Sequence, residues 1–134
     1  MVRVTADSNI YISALHFGGP PDDLLHLARA GSIQLSISDD IIDEVPRVPR
    51  DKFGWSKDAL LLFRERVGDF TQRVTPKPHL RVVEEDSDDD RILECAVESK
   101  SEYLITGDSH LLRLGSYEGT RIIKVTEFLE AMRR

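Results

Sequence analysis

Carboxylates that could bind a metal recur in four separated parts of this chain. Asp7 lies in "VTADSN", Glu44 in "IIDEV", a run of acids in "DSDDDR" and Asp108 in "LITGDSH". Four carboxylates packed together repel one another, and their pKa values rise unless a cation neutralises them. Carboxylate oxygens are hard ligands that favour Mg²⁺ or Mn²⁺ over softer metals. The residue types therefore predict a divalent-cation site, provided that the fold brings the four segments together.

The number and spacing of the histidines and cysteines argue against a zinc site. The chain has four histidines, and no two of them lie at a metal-ligand spacing such as HxxxH. We expect His110 to be a surface residue or a helper near the acids, and we rank a role as a metal ligand below these. The one cysteine, Cys95, cannot form an internal disulfide or a thiolate zinc site, so we predict that it packs in the core.

The elements that must position the acids alternate between strand and helix. We predict strands at 2–6, 33–38, 102–106 and 121–125, with a short extended segment at "LRVV". We predict helices at "NIYISALH", "DDLLHLARAG", 39–45, 56–74, 88–100, 108–114 and "EFLEAMRR". Ser8 and Thr126 are the expected N-caps of the first and last helices, and Pro46 and Pro49 should shorten or kink the helix that contains Glu44.

Strands separated by helices predict a mostly parallel sheet covered on both faces, because such crossovers are right-handed. The predicted fold class is a three-layer α/β/α sandwich, and 134 residues suit a single domain over 1–134. Ligands of open α/β sheets bind beyond the carboxyl ends of the strands. Asp7 and Asp108 each follow a predicted strand, Glu44 lies in the helix after another, and the run at 86–90 opens the helix before the strand at 102–106. All four groups are therefore expected at one edge.

Longer stretches of the chain resemble the PIN domain family. The resemblance rests on "VTADSNIYISAL", "SDDIIDEV", "DSDDDRILECAVESKSEYLITGDSHLL" and "IIKVTEFLEAM", which occur in the order found in that family. It is nearest to the VapC-like branch, the ribonuclease toxins of type II toxin–antitoxin pairs. The resemblance implies a Rossmann-like α/β/α fold, divalent-metal-dependent RNA cleavage, a homodimer and a cognate antitoxin protein.

Matched to the motifs of that family, the first acid is Asp7, the glutamate is Glu44, the third acid falls within "DDDRILECA" and the fourth is Asp108. For the third acid we choose Asp89, because it shares a helical stripe with the apolar Leu93. We rank Asp90 second and expect it mostly to face solvent or to hydrogen-bond the ligands. The acids at 86 and 88 are expected to cap the helix or to add to the negative field.

The resemblance implies one or two Mg²⁺ or Mn²⁺ ions that would acidify a water for in-line attack on the phosphodiester. The predicted ligands are Asp7, Asp89 (or Asp90) and Asp108, with Glu44 bound directly or through a water.

Several neighbouring residues are expected to assist the acids and the RNA. Ser8 or Asn9 could hydrogen-bond an acid or the phosphate, and Thr106 could orient Asp108. The basic run at 47–52 either holds RNA phosphates or is a solvated charge run. RNA that is single-stranded at the cleavage point is the expected substrate, since a shallow edge reaches unpaired backbone most easily.

Two alternatives stay open. A catalytically silent PIN scaffold would bind RNA or a protein partner, although such a scaffold usually lacks one of the acids. A signalling receiver also has a doubly wound sheet with acids at strand ends, but it needs a lysine just past its last strand, and Lys124 lies within the predicted one.

The prolines after Glu44 depart from the PIN domain pattern, in which the helix that contains the glutamate continues.

Composition bounds the location and the partners. A net charge of −6 argues against broad nonspecific affinity for nucleic acid. No apolar run approaches the ~20 residues that span a bilayer, and no secretory signal is visible, so we expect a cytoplasmic protein that does not interact with membranes. The four consecutive apolar residues at 60–63 cannot all lie on one helix face, which favours a second subunit over part of that surface.

Overall fold

A computed structural model of the chain describes residues 1–44, 57–76 and 87–133, without the side chains of residues 57, 59, 60, 87 and 88. The strands are β1 (Val2–Ala6), β2 (Ile33–Ile37), β3 (Thr71–Arg73), β4 (Tyr103–Ile105), β5 (Ser116–Tyr117) and β6 (Thr120–Ile123). The helices are α1 (Ser8–Phe17), α2 (Pro20–Arg29), α3 (described over 39–44), α4 (Lys57–Phe70), α5 (Ser87–Glu98), α6 (Ser109–Leu114) and α7 (Val125–Met132).

The strands form one sheet in the order β3-β2-β1-β4-β6-β5. All neighbours are parallel except β5, which pairs antiparallel with β6. The chain first moves outward from β1 to β2 and β3, and then returns to the other side of β1 with β4. A topological switch point therefore lies between β1 and β4, where ligand sites of α/β proteins usually form. The predicted, mostly parallel α/β fold is confirmed.

Helices cover both faces of the sheet. The hydroxyl of Thr5 contacts Ser99, just beyond α5, so α5 packs on the Thr5 face. Val4 and Ala6 point to the opposite face because side chains alternate along a strand. The connection from β1 to β2 runs across the sheet in the opposite sense to that from β3 to β4, so right-handed crossovers place their helices on opposite faces.

The buried core is aliphatic with a few aromatic contacts. Tyr11 of α1 packs edge-on against Phe63 of α4, and Tyr103 of β4 packs against Phe128 of α7. Cys95 is fully buried in this core, as predicted, and burial raises the pKa of its thiol to about 12. Among the described residues, no helix combines the length and the apolar character needed to cross a bilayer.

Several predicted boundaries were wrong. The N-cap of α1 is Asp7, whose side chain accepts the backbone N–H of Ile10, and Ser8 is the first helical residue. α7 begins at Val125 after Lys124, so Thr126 lies inside the helix and does not cap it. The helix predicted for 56–74 ends at Phe70, where the chain turns into β3, and β5 was not predicted. Three predicted features lie outside the described residues: the segment "LRVV", the prolines Pro46 and Pro49, and the basic run at 47–52.

Candidate active site

Asp7 lies at the switch point, where hydrogen bonds fix both its backbone and its carboxylate. Its backbone N–H donates to the carbonyl of Ile105 at the end of β4, with N and O 3.1 Å apart. Its Oδ1 accepts from the N–H of Ile10 at 3.1 Å, which caps α1, and its Oδ2 accepts from the hydroxyl of Thr106. Asp7 is 2% exposed. The carboxylate therefore has a fixed direction at the carboxyl edge of the sheet.

Burial makes the Asp7 carboxylate costly to charge. It raises the pKa of Asp7 from 3.8 to about 6, although the hydrogen bonds from Thr106 and Ile10 oppose the shift. The negative charge of Glu44 raises the pKa of Asp7 further, so α3 contributes its charge to this edge. Glu44 itself is half-buried. A cation beside Asp7 would relieve both effects.

Thr106 connects the ends of β1 and β4. Its Oγ1 accepts the backbone N–H of Asp108 at 3.0 Å, so its own proton is directed to Asp7. The sequence suggested that Thr106 orients the Asp108 carboxylate. In the structure it instead donates to the Asp7 carboxylate and accepts the main-chain amide of Asp108.

A group of three side chains stands next to this arrangement. The ligand atoms of Asp89, Asp108 and His110 all lie within 4.8 Å of one another. Nδ1 of His110 is 3.9 Å from Oδ2 of Asp89 and 3.8 Å from Oδ1 of Asp108. This is the kind of mixed carboxylate and imidazole set that holds a divalent metal.

The position of Asp108 follows from its role as the N-cap of α6. Its Oδ1 accepts the backbone N–H groups of His110 at 2.8 Å and of Leu111 at 3.1 Å. Leu111 is fully buried, which anchors the first turn of α6 to the core. The sequence favoured a surface or helper role for His110 over a ligand role. Its place in this first turn, two residues after Asp108, was the available signal that it lies among the acids.

Burial does not separate the two candidates for the third acid. Asp89 and Asp90 are each 4% exposed, so Asp90 does not face solvent. The distance to His110 favours Asp89, because only Asp89 belongs to the three-residue group found among the described side chains. The side chain of Asp88 is not described, and Asp86 lies outside the described residues.

The two predicted helpers after Asp7 differ in exposure. Ser8 is buried and Asn9 is exposed, and the backbone N–H of Asn9 contributes a hydrogen bond to Asp7. The structure thus brings Asp89, Asp108 and His110 into one group, connects Asp7 to Asp108 through Thr106, and places Glu44 within electrostatic reach of Asp7.

Comparison with known families bears on what this edge does. The sequence profile of the PIN domain matches residues 3–110, which include all of the candidate acids. No curated protein gives a significant match to the chain. PIN domains are generally nucleases that use divalent metals, and the match favours this reading over the signalling receiver. Since the profile spans more than half of the sequence, the chain belongs to the PIN domain family.

Proposed function

We propose that this protein is a divalent-metal-dependent endoribonuclease that hydrolyses phosphodiester bonds of RNA. The observation that carries the proposal is the convergence of Asp89, Asp108 and His110 beside the buried Asp7, at the switch point of the sheet. The acids of the PIN domain pattern are all present in the sequence. A scaffold that only binds RNA would not need to keep such a costly arrangement of like charges.

The residues present fit a divalent cation. The Nδ1 atom of His110 is buried and has no hydrogen-bond partner among the described residues, and carboxylate oxygens of Asp89 and Asp108 lie 3.9 and 3.8 Å from it. Asp89 and Asp108 would hold the cation, with Asp7 and Glu44 adding negative charge nearby. The predominance of carboxylates supports Mg²⁺ or Mn²⁺. When bound, such a cation supplies positive charge to the scissile phosphate and acidifies water at neutral pH.

The protein's own contribution is to hold these groups still before RNA arrives. The cap bonds of α6 fix the Asp108 carboxylate, and the Thr106 hydroxyl fixes that of Asp7. Because these contacts are made by backbone and neighbouring side chains, little reorganisation is needed when charge builds on the phosphate.

The narrower parts of the proposal concern substrate and setting. RNA with unpaired backbone at the cleavage point suits a site at the edge of a sheet. The resemblance to VapC-like toxins supports a toxin role in the cytoplasm, with a cognate antitoxin as partner. A small gene that encodes a DNA-binding protein directly upstream would support this role.

A homodimer is proposed for the exposed face of α4. Leu61 and Leu62 are 51% and 45% exposed, whereas Phe63 beside them is buried. Two adjacent exposed leucines leave apolar surface that a second subunit would cover. Multi-angle light scattering should give the mass of a dimer, and a monomer mass at high protein concentration would count against it.

Cleavage of an unstructured RNA in the presence of Mn²⁺ tests the activity. We expect endonucleolytic products from the wild type, none in the presence of a chelator, and at least about 100-fold slower cleavage by Asp108→Asn. Asp69→Asn is a matched control, because Asp69 is exposed and lies just before β3, at the opposite edge of the sheet. A folded, metal-binding wild type that leaves RNA intact would support the silent scaffold instead.

A further inference from the structure

We propose that His110 is a direct nitrogen ligand of the divalent cation, so that the metal centre is a mixed imidazole–carboxylate site with a preference for Mn²⁺ over Mg²⁺. This inference rests on the proposed function, in that it assumes that the acidic edge binds a cation. It concerns a residue outside the acids that the PIN domain pattern supplies.

The first argument is the position of the imidazole nitrogen. Nδ1 of His110 is 3.9 Å from Oδ2 of Asp89 and 3.8 Å from Oδ1 of Asp108, both beyond normal hydrogen-bond reach. Two ligands that each lie about 2.1 Å from one cation are separated by about 3–3.5 Å. Each of the two measured distances therefore needs to shorten by less than about 1 Å to match the spacing of ligands around one ion, and the ligand atoms of the two acids already lie within 4.8 Å of each other.

The second argument is that this nitrogen is buried. Nδ1 has no hydrogen-bond partner among the described residues, even though the ring as a whole is partly exposed. A buried polar atom without a partner is costly, and a bound ion is one of the reasons for which native proteins keep such an atom. A neutral imidazole with its lone pair on Nδ1 would supply a donor at nearly equal distances from the two carboxylates.

The third argument is that hydrogen bonds of the main chain fix the position of the His110 backbone, from which the imidazole extends. The backbone N–H of His110 donates to Oδ1 of Asp108 at 2.8 Å, so the two candidate ligands are locked to each other by the cap of α6. The next residue, Leu111, is fully buried and anchors that turn. His110 therefore has little freedom to leave the acids by backbone movement.

The competing explanation is an imidazolium ion that simply pairs with Asp89 and Asp108. In that case the ring would occupy the place of the cation, and removing it should strengthen metal binding. If His110 is a ligand, removing it should weaken metal binding, and the loss should be larger for Mn²⁺ than for Mg²⁺, because imidazole suits later transition metals and Mg²⁺ prefers oxygen.

Electron spin-echo spectroscopy of the Mn²⁺-loaded protein tests the ligand directly. With ¹⁵N-histidine incorporated, we expect a ¹⁵N coupling to Mn²⁺ in the wild type that disappears in His110→Gln. His26→Gln is the matched control, because His26 lies on α2 and pairs with Asp22, and it should keep the coupling. Calorimetry on the same proteins should show at least about 10-fold weaker Mn²⁺ binding in His110→Gln, with a smaller loss for Mg²⁺.

The outcomes separate this inference from the proposed function. A wild type that binds Mn²⁺ without any histidine coupling would overturn the His110 assignment and leave the metal-dependent nuclease intact. Stronger Mn²⁺ binding in His110→Gln would overturn it in favour of the ion pair. A wild type that fails to bind Mn²⁺ or Mg²⁺ would overturn both proposals.

Discussion

Two largely buried polar clusters in this protein differ in the chemistry of their side chains. The acidic edge, formed by Asp7, Asp89 and Asp108 with His110, lies beyond the carboxyl ends of β1 and β4. A hydroxyl cluster lies near the amino end of β4. Its members are Thr5, Ser99, Ser101 and Thr120. The hydroxyl oxygen of Ser101 is 2.8 Å from that of Thr5 and 2.7 Å from that of Ser99. The hydroxyl of Thr120 donates to the Ser101 carbonyl at 2.7 Å.

The difference lies in what each group can offer its neighbour. A hydroxyl both donates and accepts, so the hydroxyl cluster satisfies itself without charge and stabilises the fold. An ionised carboxylate only accepts, so neighbouring acids at the acidic edge cannot satisfy one another. They rely on Thr106 and backbone amides for part of their hydrogen bonding, and their like charges remain. At Asp7, burial of the carboxylate therefore lowers the stability of the metal-free protein, and a bound cation would offset that cost.

The largest expected effect separates the two candidates for the third acid. Asp89→Asn should slow Mn²⁺-dependent RNA cleavage by at least about 100-fold, because it removes a charged ligand from the group around His110. Asp90→Asn should slow it only a few-fold. Initial rates at saturating Mn²⁺ on RNA of one sequence measure both. If Asp90→Asn abolished cleavage and Asp89→Asn slowed it only mildly, α5 would present Asp90 rather than Asp89 to the metal.

The next effect is on stability and depends on pH. Because folding raises the pKa of Asp7 from 3.8 to about 6, the folded state holds the proton more tightly than the unfolded state. The free energy of unfolding should therefore fall as pH rises from about 4 to about 6, by up to about 3 kcal/mol from this group, and stay level above that range.

Asp7→Asn removes that penalty. In a chelator, we expect the variant to be about 2 kcal/mol more stable than the wild type at pH 8, with no advantage near pH 4. The gain is less than the full penalty because the Thr106 hydroxyl loses its charged acceptor. Urea unfolding at a series of pH values measures it, with Asp69→Asn as the exposed control. An Asp7→Asn that is less stable than the wild type at pH 8 would contradict this account.

The smallest effect is expected in the hydroxyl cluster. Ser101→Ala should lower the free energy of unfolding by about 1–2 kcal/mol, because Thr5 and Ser99 each lose a short hydrogen bond. The exposed Ser116→Ala should change it by less than about 0.5 kcal/mol. Cleavage by folded Ser101→Ala should match the wild type, and a large loss of activity would show that the two clusters are coupled.

The sequence predicted the acidic edge better than it predicted local boundaries. Asp7 and Asp108 follow strands whose apolar pattern is clear, and the parallel topology alone places such residues at one edge. The N-cap of α1 could not be assigned to Asp7 over Ser8, since both side chains can accept the same bond. The strand β3 has no apolar alternation, and its pairing with β2, Leu35 opposite Thr71, is a long-range contact that local sequence does not encode.

The proximity of His110 to Asp89 could not be predicted from the sequence, for a similar reason. Its spacing from Asp108 is visible in "GDSH", but its distance to Asp89 depends on how α5 sits against β1 and β4. The same packing decides whether Asp89 or Asp90 reaches the group. Helical periodicity favoured Asp89, which the structure places 3.9 Å from Nδ1 of His110, although the burial of Asp90 was not foreseen.

The central claim is that the acidic edge binds a divalent cation, and calorimetric titration with Mn²⁺ tests it most directly. The wild type should bind Mn²⁺, and Asp7→Asn and Asp108→Asn should each bind it at least about 10-fold more weakly while keeping the circular dichroism spectrum of the wild type. Mn²⁺ affinity that is unchanged in both folded variants would contradict the account.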